Sequence, residues 1–270
     1  MNSKLYNAML AAANPSQVPD LSRFFKTGAG QYGEGDRFLG IKVPVTRSIV
    51  KTHWRRLAES SDPFTELEEC ISSEYHEIRL AALLAMVEIF AHAGRSSRRS
   101  APQDDRGVAP KDDRGTALRD DCIRFYLSHT DFINNWDLVD LSCYPLLGEW
   151  LLPRQDRSIL YGLARSGRTI WEQRIGIVST MTFIRHGELQ DTFAIADILL
   201  HHPHDLIHKA VGWLLREAGK RNQAALEEYL IGHCYSESLP RYLQMPRTML
   251  RYAIERFPEP LRQQYLKGNR

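Results

Sequence analysis

The sequence lacks the features that would mark a metalloprotein, a disulfide-bonded protein or a membrane protein. Its four cysteines, at positions 70, 122, 143 and 234, have neither metal-binding nor redox spacing, so we expect free thiols in a reducing compartment. No run approaches the roughly 18 apolar residues that a membrane span needs, and the N-terminus has no signal-peptide pattern. We therefore expect a cytoplasmic protein that does not associate with membranes.

Two further absences concern nucleotides and nucleic acids. The glycine-rich segment Gly28–Asp36 has neither the preceding strand nor the Gly-Lys-Ser/Thr end of a phosphate-binding loop, so a nucleotide site is not expected. The formal net charge is only +2, which is below the excess typical of nucleic-acid-binding domains. Any basic surface must therefore come from the arrangement of the charges rather than from their number.

Strand-like alternation is almost absent, whereas apolar residues recur at helical spacing in segments joined by short linkers. This pattern predicts an all-α chain whose antiparallel helix pairs stack into a HEAT-like superhelix, an α-solenoid. A globular bundle is the alternative, because no clear sequence repeat accompanies the helices. Helices are predicted at 1–13, 19–26, from about 44 to 59, 63–72, 74–92, 118–129, 136–152, 155–166, 169–186, 189–201, 205–221, 224–235 and 246–257.

We predict one domain over residues 1–270, interrupted by an insertion at about 95–117. Within the insertion, Ala101–Gly107 is nearly repeated by Ala109–Gly115. A segment with many charges and few apolar residues cannot bury enough surface to offset the entropy of ordering it. The insertion is therefore predicted to be disordered, and a tail that binds a partner is the alternative.

The segment that begins at Asn134 carries the clearest candidate for chemistry. Asn134 or Asn135 can cap a helix, and Asp137 then falls in the first turn, where the helix dipole favours negative charge. Trp136 and Asp140 are four residues apart and share one face of that helix. A carboxylate beside an indole is costly in a buried helix unless a cation approaches it. The alternative is a core tryptophan next to a capping aspartate.

A second pattern lies on the helix predicted from residue 205. Lys209, Trp213, Arg216 and Lys220 form a stripe opposite the apolar face. A tryptophan among three cations suits contact with a sugar-phosphate backbone, with the indole against sugar or base and the cations against phosphates. The alternative is an inward-packed tryptophan surrounded by long basic side chains.

Other helices carry smaller groups of basic residues. Arg47 and Lys51 are four residues apart, as are Arg247 and Arg251. Arg174 stands on an otherwise apolar stripe, where it needs a carboxylate or a phosphate. Such rows on successive helices of a solenoid predict one concave basic groove that binds DNA. Surface salt bridging is the alternative for any single row.

The histidines cluster near the start of the same helix, but their spacing does not indicate a metal site. No cysteine or acidic residue stands at a suitable distance from them in the sequence, so no metal is expected. The cluster comprises His201, His202, His204 and His208.

Several of these segments, in order and spacing, resemble the AlkD-type DNA alkylation-repair glycosylases, which are built from HEAT-like helical repeats. The resemblance covers most of the chain outside the insertion, and the Trp-x-x-x-Asp and Gly-Trp-x-x-Arg-Glu elements are fairly specific in combination. The matching segments are Phe38–Pro44, Asn135–Asp140, Trp171–Gly176, Ala210–Glu217 and Met245–Glu255.

The resemblance implies roles for four residues. Asp140 would be the catalytic carboxylate, Trp136 and Trp213 aromatic walls around the deoxyribose of the lesion, and Arg174 a phosphate contact. The family hydrolyses the N-glycosidic bond of cationic N3- and N7-alkylated purines in double-stranded DNA, without a metal and without flipping the base into a pocket. A monomer without cofactors is expected.

Two alternatives to the enzyme remain open at this point. One is a non-catalytic HEAT-repeat protein that binds damaged or branched DNA, and the other is a helical-repeat scaffold for protein partners. The presence of Asp140 with Trp136 and Trp213 favours the enzyme, because a pure DNA binder gains nothing from a carboxylate that faces phosphates. A scaffold would instead have an apolar groove.

Overall fold

A computed structural model of the protein describes residues 3–99, 113–234 and 238–270, without the side chains of 96–99 and 113. Within these ranges the secondary structure is helical and contains no strand, apart from two isolated β-bridges. The predicted all-α class is confirmed. The chain divides into two compact units, Met1–Ser142 (unit 1) and Cys143–Arg270 (unit 2). The single domain and the continuous basic groove stay predictions.

Unit 1 is arranged around one long helix, α5. Helix α5 contacts α1, α3, α4, α6 and α7, and its side chains are buried on several sides, including Ile78, Ala81 and Ala85 at 0% exposure. A helix that is apolar on most of its circumference is stable only inside such a cluster. The α-helices are α1 (Lys4–Ala11), α2 (Val18–Phe24), α3 (Val43–Glu59), α4 (Phe64–Ile71), α5 (His76–Arg99), α6 (Asp113–Ser128) and α7 (Trp136–Asp140).

The predicted insertion is shorter in the structure than in the sequence analysis. Helix α5 continues to Arg99 and α6 begins at Asp113, so the two ends of the range 95–117 are helical. Near these ends the Arg119 guanidinium lies 4.1 Å from the centre of the Phe90 ring, a cation–π contact between α6 and α5. The predicted disorder of 100–112 falls outside the described residues.

The helix predicted over 136–152 is interrupted, and this part of the prediction is wrong. Helix α7 ends at Asp140, a π-helical turn follows at Tyr144–Gly148, and α8 covers only Glu149–Leu151. Pro145 has no N–H to donate to the preceding turn, so the regular ladder cannot pass through it. The Thr182 hydroxyl donates a hydrogen bond to the Tyr144 carbonyl at 2.7 Å, which satisfies this part of the irregular backbone.

Unit 2 is arranged around α13, which contacts α10, α11, α12, α14 and α16. Close packing against α16 requires glycine at position 212, because a Cβ there would lie 2.5 Å from both the Met249 carbonyl oxygen and the Tyr252 Cβ. Besides α8, the unit contains α9 (Ser158–Ser166), α10 (Ile170–Val178), α11 (Met181–Arg185), α12 (Gln190–Ile198), α13 (Asp205–Arg221), α14 (Gln223–Ile231), α15 (Arg241–Gln244), α16 (Arg247–Ala253) and α17 (Glu259–Lys267).

The helices of unit 2 differ from the predicted ones in several places, and α15 was not predicted. The segment 169–186 forms two helices, α10 and α11, which are separated at Ser179 and Thr180. Helix α17 was not predicted, because its apolar pattern is weak and its polar residues outnumber the buried Tyr265. None of the helices in the described part of the chain is long and apolar enough to span a membrane.

Candidate functional site

Helix α7 presents Trp136 and Asp140 on one cavity of unit 1. The helix begins where the side chain of the buried Asn135 accepts a hydrogen bond from the Trp136 N–H at 2.9 Å, which confirms the predicted capping. Trp136 and Asp140 are half-buried. Both side chains line the same cavity, as expected from residues four apart on a helix.

The cavity has a volume of about 500 Å³ and a largely apolar lining. Its walls come from α2, the segment before α3, the start of α5, and α7. Apolar side chains in the lining are Leu21, Phe24, Phe25, Phe38, Ile41, Val43, Pro44, Leu80, Trp136 and Leu141, and the charged ones are Lys42, His76, Glu77, Asp137 and Asp140.

Four aromatic rings form a cluster on this lining. Phe25 stacks on Trp136 with ring centres 5.5 Å apart and on Phe38 with centres 5.1 Å apart. Phe24 meets Trp136 edge-on at 5.8 Å. Such pairs prefer offset-stacked or edge-to-face geometry, and both occur here. Phe25 is 6% exposed, whereas Phe24 is 60% exposed, so the cluster runs from the interior of unit 1 to its surface.

A buried histidine lies beneath these rings. The His76 ring stacks on Phe38 at 4.7 Å. Its Nδ1 is 2.8 Å from an Asp36 carboxylate oxygen, and its Nε2 is 2.9 Å from an Asp137 carboxylate oxygen. Burial lowers the pKa of His76, but the hydrogen bonds and negative charges of Asp137 and Asp36 outweigh it and raise the pKa to about 9. His76 is therefore an imidazolium at neutral pH and donates to both carboxylates.

Arg79 adds a second positive charge to this buried cluster. Its guanidinium is paired with Asp36, and it donates to the Asn134 side chain at 3.1 Å and to the Ser73 carbonyl at 2.9 Å. Burial alone would raise the pKa of Asp36, but the His76 hydrogen bond and the charge of Arg79 hold it below its usual value. Asp36, His76, Arg79 and Asp137, the buried charge cluster, thus combine two carboxylates with two cations.

Glu77 shapes the wall on the other side of the cavity. Its carboxylate accepts hydrogen bonds from the backbone N–H groups of Leu39, Gly40 and Ile41 at 2.9, 2.9 and 3.0 Å. Gly40 has a φ of +84°, and a Cβ there would lie 1.9 Å from the Asn14 carbonyl oxygen, so only glycine fits. The segment resembling the glycosylases at 38–44 is therefore fixed by a carboxylate at the start of α5.

The predicted basic residues of α3 lie on the surface of unit 1. Arg47 and Lys51 are both exposed, while Thr46, Val50 and Trp54 form the buried side of the helix. This separation agrees with the spacing of four residues that places Arg47 and Lys51 on one face of the helix. DNA contact by Arg47 and Lys51 stays a prediction.

The predicted stripe of α13 in unit 2 consists of ion-paired cations around a half-buried tryptophan. Lys209 is 2.7 Å from Asp205, and Lys220 is 2.7 Å from Glu217. Arg216 pairs with Glu255. These pairs reduce the positive charge that the stripe presents, so a phosphate must compete with carboxylates that already occupy the cations.

Trp213 lines a second cavity, which lies within unit 2 and has a volume of about 360 Å³. Two arginines that the sequence analysis did not select, Arg185 and Arg221, line it together with Lys220 and Glu217. Arg221 donates to the Arg185 carbonyl, and the Arg185 guanidinium lies 4.6 Å from the centre of the Tyr144 ring. Trp213 is therefore surrounded by more cations than the α13 stripe alone contains.

Arg174 is the predicted phosphate contact, and it is only 5% exposed. Its guanidinium donates a hydrogen bond to the Leu206 carbonyl at 2.6 Å, which ties α10 to the first turn of α13. The sequence analysis predicted a carboxylate or a phosphate as the partner of this arginine, and its contact with a phosphate stays a prediction. One acceptor in the structure is a backbone carbonyl, a partner that side-chain patterns do not reveal.

The last predicted pair lies on α16. Arg247 is exposed and donates to the Leu266 carbonyl at 2.9 Å, and Arg251 is exposed one turn later. Met249, Leu250 and Ala253 are buried. The helix thus has the amphipathic pattern that the sequence predicts, and its contact with DNA stays a prediction.

The histidines near the start of α13 make structural contacts. His202 Nε2 is 2.9 Å from the Gln173 side-chain oxygen, and His204 Nδ1 accepts from the Leu206 N–H at 3.1 Å, which caps α13. His208 contacts the His202 carbonyl oxygen. Among the described residues, no group of three or more histidine, cysteine or acidic side chains is arranged to hold a metal ion.

The structure thus brings together Asp140 and Trp136 on one cavity, and it places Trp213, Arg174 and the remaining α13 and α16 residues in unit 2. Sequence reasoning missed Phe24, Phe25 and His76. Two adjacent phenylalanines end a short helix, and in the structure Phe24 is exposed whereas Phe25 is buried. His76 had no local signal.

Comparisons with known proteins agree with this fold. A structure described as a predicted DNA alkylation repair enzyme from Enterococcus faecalis superposes with a TM-score of 0.60 at 14% identity, over 92% of this chain and 97% of that chain. Among curated proteins no sequence match is found. The family model for DNA alkylation repair enzymes matches residues 5–257. The chain therefore belongs to the DNA alkylation repair enzyme family.

Proposed function

We propose that the protein is a DNA glycosylase that hydrolyses the N-glycosidic bond of cationic alkylated purines in double-stranded DNA. The observation that carries the proposal is that half-buried Asp140 lines the same aromatic-lined cavity as Trp136. Membership of the DNA alkylation repair enzyme family supports DNA as the substrate.

The chemistry suits these residues. An N3- or N7-alkylated purine carries a positive charge and leaves as a neutral base, so departure requires little help from a general acid. The sugar develops positive charge as the bond breaks, in an oxocarbenium-like transition state. A fixed carboxylate at Asp140 and the π face of Trp136 would stabilise that charge, and the carboxylate would also orient the attacking water.

Binding to the duplex would come from residues of both units. In unit 1 we assign this role to the exposed Arg47 and Lys51. In unit 2 we assign it to Lys209, Arg216, Lys220, Arg247 and Arg251, with Arg174 as a phosphate contact and Trp213 against the deoxyribose. Cations of this kind position the duplex without reading its sequence.

The proposal is tested by incubating the protein with duplex DNA that contains 7-methylguanine or 3-methyladenine and measuring the release of free base. Release from these strands, with no release of guanine or adenine from unmodified DNA, is the expected result. If the protein binds the modified duplex but releases no base, the protein is a DNA-structure binder rather than a glycosylase.

The Asp140→Asn variant separates a catalytic role from a structural one. It keeps the shape and removes the charge, so single-turnover excision should fall about a hundredfold, which corresponds to roughly 3 kcal/mol. DNA affinity should hold or increase, because a negative charge near phosphates is gone. Asp20→Asn, an exposed aspartate of α2, serves as the control with unchanged excision. Unchanged excision in a normally folded Asp140→Asn protein would rule out the catalytic role.

A further inference from the structure

The cavity beside Trp213 in unit 2 carries more positive than negative charge. Its charged lining residues are three cations and one carboxylate, namely Arg185, Lys220, Arg221 and Glu217. Glu217 is already engaged, because the Lys220 ammonium lies 2.7 Å from one of its oxygens. The two arginines are therefore the charges of this cavity that still need an explanation.

Neither arginine is paired with a carboxylate in the part of the chain that the structure describes. The Arg185 guanidinium lies 4.6 Å from the centre of the Tyr144 ring, and Arg221 donates a hydrogen bond to the Arg185 backbone carbonyl. A guanidinium has five N–H donors, so most donors of both side chains remain available to a ligand. Both residues are exposed, which lets a large ligand reach them.

Stabilisation of helix ends accounts for Arg221 better than for Arg185. Arg185 stands in the last turn of α11 and Arg221 in the last turn of α13, where cations interact favourably with the helix dipole. Arg221 also satisfies a carbonyl at the end of α11. The Arg185 guanidinium satisfies no carbonyl among the described residues and lies instead on Tyr144, in the π-helical turn at Tyr144–Gly148. Such turns occur frequently at functional sites.

The lining favours a phosphate that belongs to a nucleic-acid strand. The planar fork of a guanidinium matches two oxygens of one phosphate. Beside the cations lie the half-buried Trp213 indole and the apolar side chains of Met181 and Ile184. A free phosphate ion is bound through its oxygens alone and gains nothing from this surface. A strand also offers a sugar and a base next to each phosphate, and these pack well on an indole.

We propose that Arg185 and Arg221 bind one phosphate of a DNA strand in this cavity, while the indole of Trp213 contacts the adjoining sugar. Tyr144 is a positioning residue, because its ring supports the Arg185 guanidinium. The inference rests on the proposed function for the identity of DNA as the ligand. It adds to the DNA interface two arginines that are not part of the α13 stripe.

The salt dependence of binding to an unmodified duplex tests the site independently of excision. Each cation that contacts a phosphate contributes about one unit to the slope of log affinity against log salt. Arg185→Gln should lower this slope by about one unit and weaken binding several-fold, and Arg185→Gln with Arg221→Gln should lower the slope by about two units. Fluorescence anisotropy at several salt concentrations measures both quantities.

Arg165→Gln is the matched control for these variants. Arg165 is also an exposed arginine in the last turn of a helix of unit 2, and its guanidinium lies 5.7 Å from the centre of the Tyr161 ring. It does not line the cavity beside Trp213. The slope and the affinity of Arg165→Gln should therefore equal those of the unaltered protein.

Two substitutions at position 144 test the positioning role. Tyr144→Leu removes the ring and should weaken duplex binding about threefold, whereas Tyr144→Phe keeps the ring and should retain the affinity. In a protein that already carries Arg185→Gln, Tyr144→Leu should have no further effect, because the ring then has no guanidinium to support. Thermal melting of each variant establishes that it is folded.

Two competitors identify the class of ligand. Inorganic pyrophosphate offers phosphate oxygens without a sugar, and polyglutamate offers carboxylates along a chain. At an equal concentration of charge, an unlabelled duplex should displace the labelled duplex at least about tenfold more effectively than either competitor. Equal displacement by pyrophosphate or by polyglutamate would overturn the assignment of the cavity to a DNA strand.

The outcomes separate this inference from the proposed function. An unchanged slope in the protein with both Arg185→Gln and Arg221→Gln, or an equal decrease in Arg165→Gln, would overturn the phosphate site. If the unaltered protein nevertheless releases base from alkylated DNA, the glycosylase proposal stands without the site. The expected decreases in slope, together with no release of base, would support the phosphate site and refute the glycosylase.

Discussion

The charged residues of unit 1 that underlie the cavity are buried, whereas the two lysines of the α13 stripe in unit 2 keep much of their side-chain surface exposed. The side chains of His76, Asp36 and Asp137 are 1%, 2% and 5% exposed. Those of Lys209 and Lys220 are 41% and 42% exposed, even though each is paired with a carboxylate. Pairs of a cation and a carboxylate therefore occur in two different environments, one buried and one part-exposed.

The difference indicates two different roles for charge. Buried ions are costly to remove from water, and the loss of one partner leaves the other without compensation, so such clusters hold their geometry strongly. Exposed ion pairs contribute roughly 0–1 kcal/mol and exchange partners easily. We infer that the buried charge cluster of unit 1 fixes the shape of the cavity, while the α13 stripe is available to exchange carboxylates for phosphates.

The largest effect should follow from His76→Leu. The substitution removes the imidazolium and leaves Asp36 and Asp137 buried beside one remaining cation. The free energy of unfolding should fall by about 3–5 kcal/mol, measured by urea denaturation. His53→Leu is the control, because His53 is a half-buried histidine of unit 1 that bonds only within α3. A loss below about 1 kcal/mol for His76→Leu would show that the cluster does not stabilise unit 1.

The pH dependence of the free energy of unfolding should reveal the contribution of the same buried charge cluster. The pKa of His76 is raised from 6.5 to about 9 in the folded protein. Its stabilisation is therefore complete below the unfolded pKa and is lost as the pH rises through about 9, a loss of roughly 3 kcal/mol. Asp36 acts in the opposite sense. Its pKa is lowered in the folded protein, so Asp36 stabilises the fold at pH values above its unfolded pKa, and this contribution is lost on acidification.

Urea unfolding measured at a series of pH values between about 6 and 10 tests this dependence. The curve for His76→Leu should lack the alkaline decrease, which identifies the titrating group. If the two proteins lose stability in parallel above pH 7, another group is responsible.

The stripe of unit 2 should affect DNA binding rather than stability. Lys209→Gln should reduce the slope of log affinity against log salt by about one counterion unit, measured by fluorescence anisotropy at several salt concentrations. Lys267→Gln, an exposed lysine of α17 outside the stripe, should leave the slope unchanged. If the unaltered protein, Lys209→Gln and Lys267→Gln have equal slopes, Lys209 is not part of the DNA interface.

The smallest effect should be that of Lys220→Gln on stability. The lysine pairs with Glu217 at the surface of α13, so the free energy of unfolding should change by less than about 1 kcal/mol. Urea denaturation of Lys220→Gln and of His76→Leu under the same conditions compares the two environments directly. A loss of several kcal/mol would mean that the stripe, like the cluster of unit 1, is structural.

The parts of the fold that depend on local patterns were predictable from the sequence. Helix α3 ends at Glu59 as predicted, and Asn135 caps α7 as predicted, because apolar spacing and capping side chains act within a few residues. The break near Pro145 was a missed local signal. Proline was present in the sequence, but the apolar residues on both sides of it continued the helical pattern.

The candidate site was predictable only in part, for a reason that His76 illustrates. Trp136 and Asp140 share a helix, so their spacing places them on one face. His76 meets Asp36 and Asp137, which are 40 and 61 residues away in the sequence. No periodicity connects such positions, and their proximity results from the packing of α5 against the segment before α3 and against α7.

The three amide contacts of Glu77 have a consequence for how mutations in this protein should be interpreted. The side chain of Glu77, which is 59 residues before Trp136 in the sequence, sets the path of Leu39–Ile41, and Ile41 lines the same cavity as Trp136. Glu77→Gln would offer an amide, with one acceptor oxygen, to three donors that now share a carboxylate. Loss of function caused by a substitution at position 77 or 40 would therefore indicate a change in the cavity wall, although neither residue belongs to the motif around Asp140.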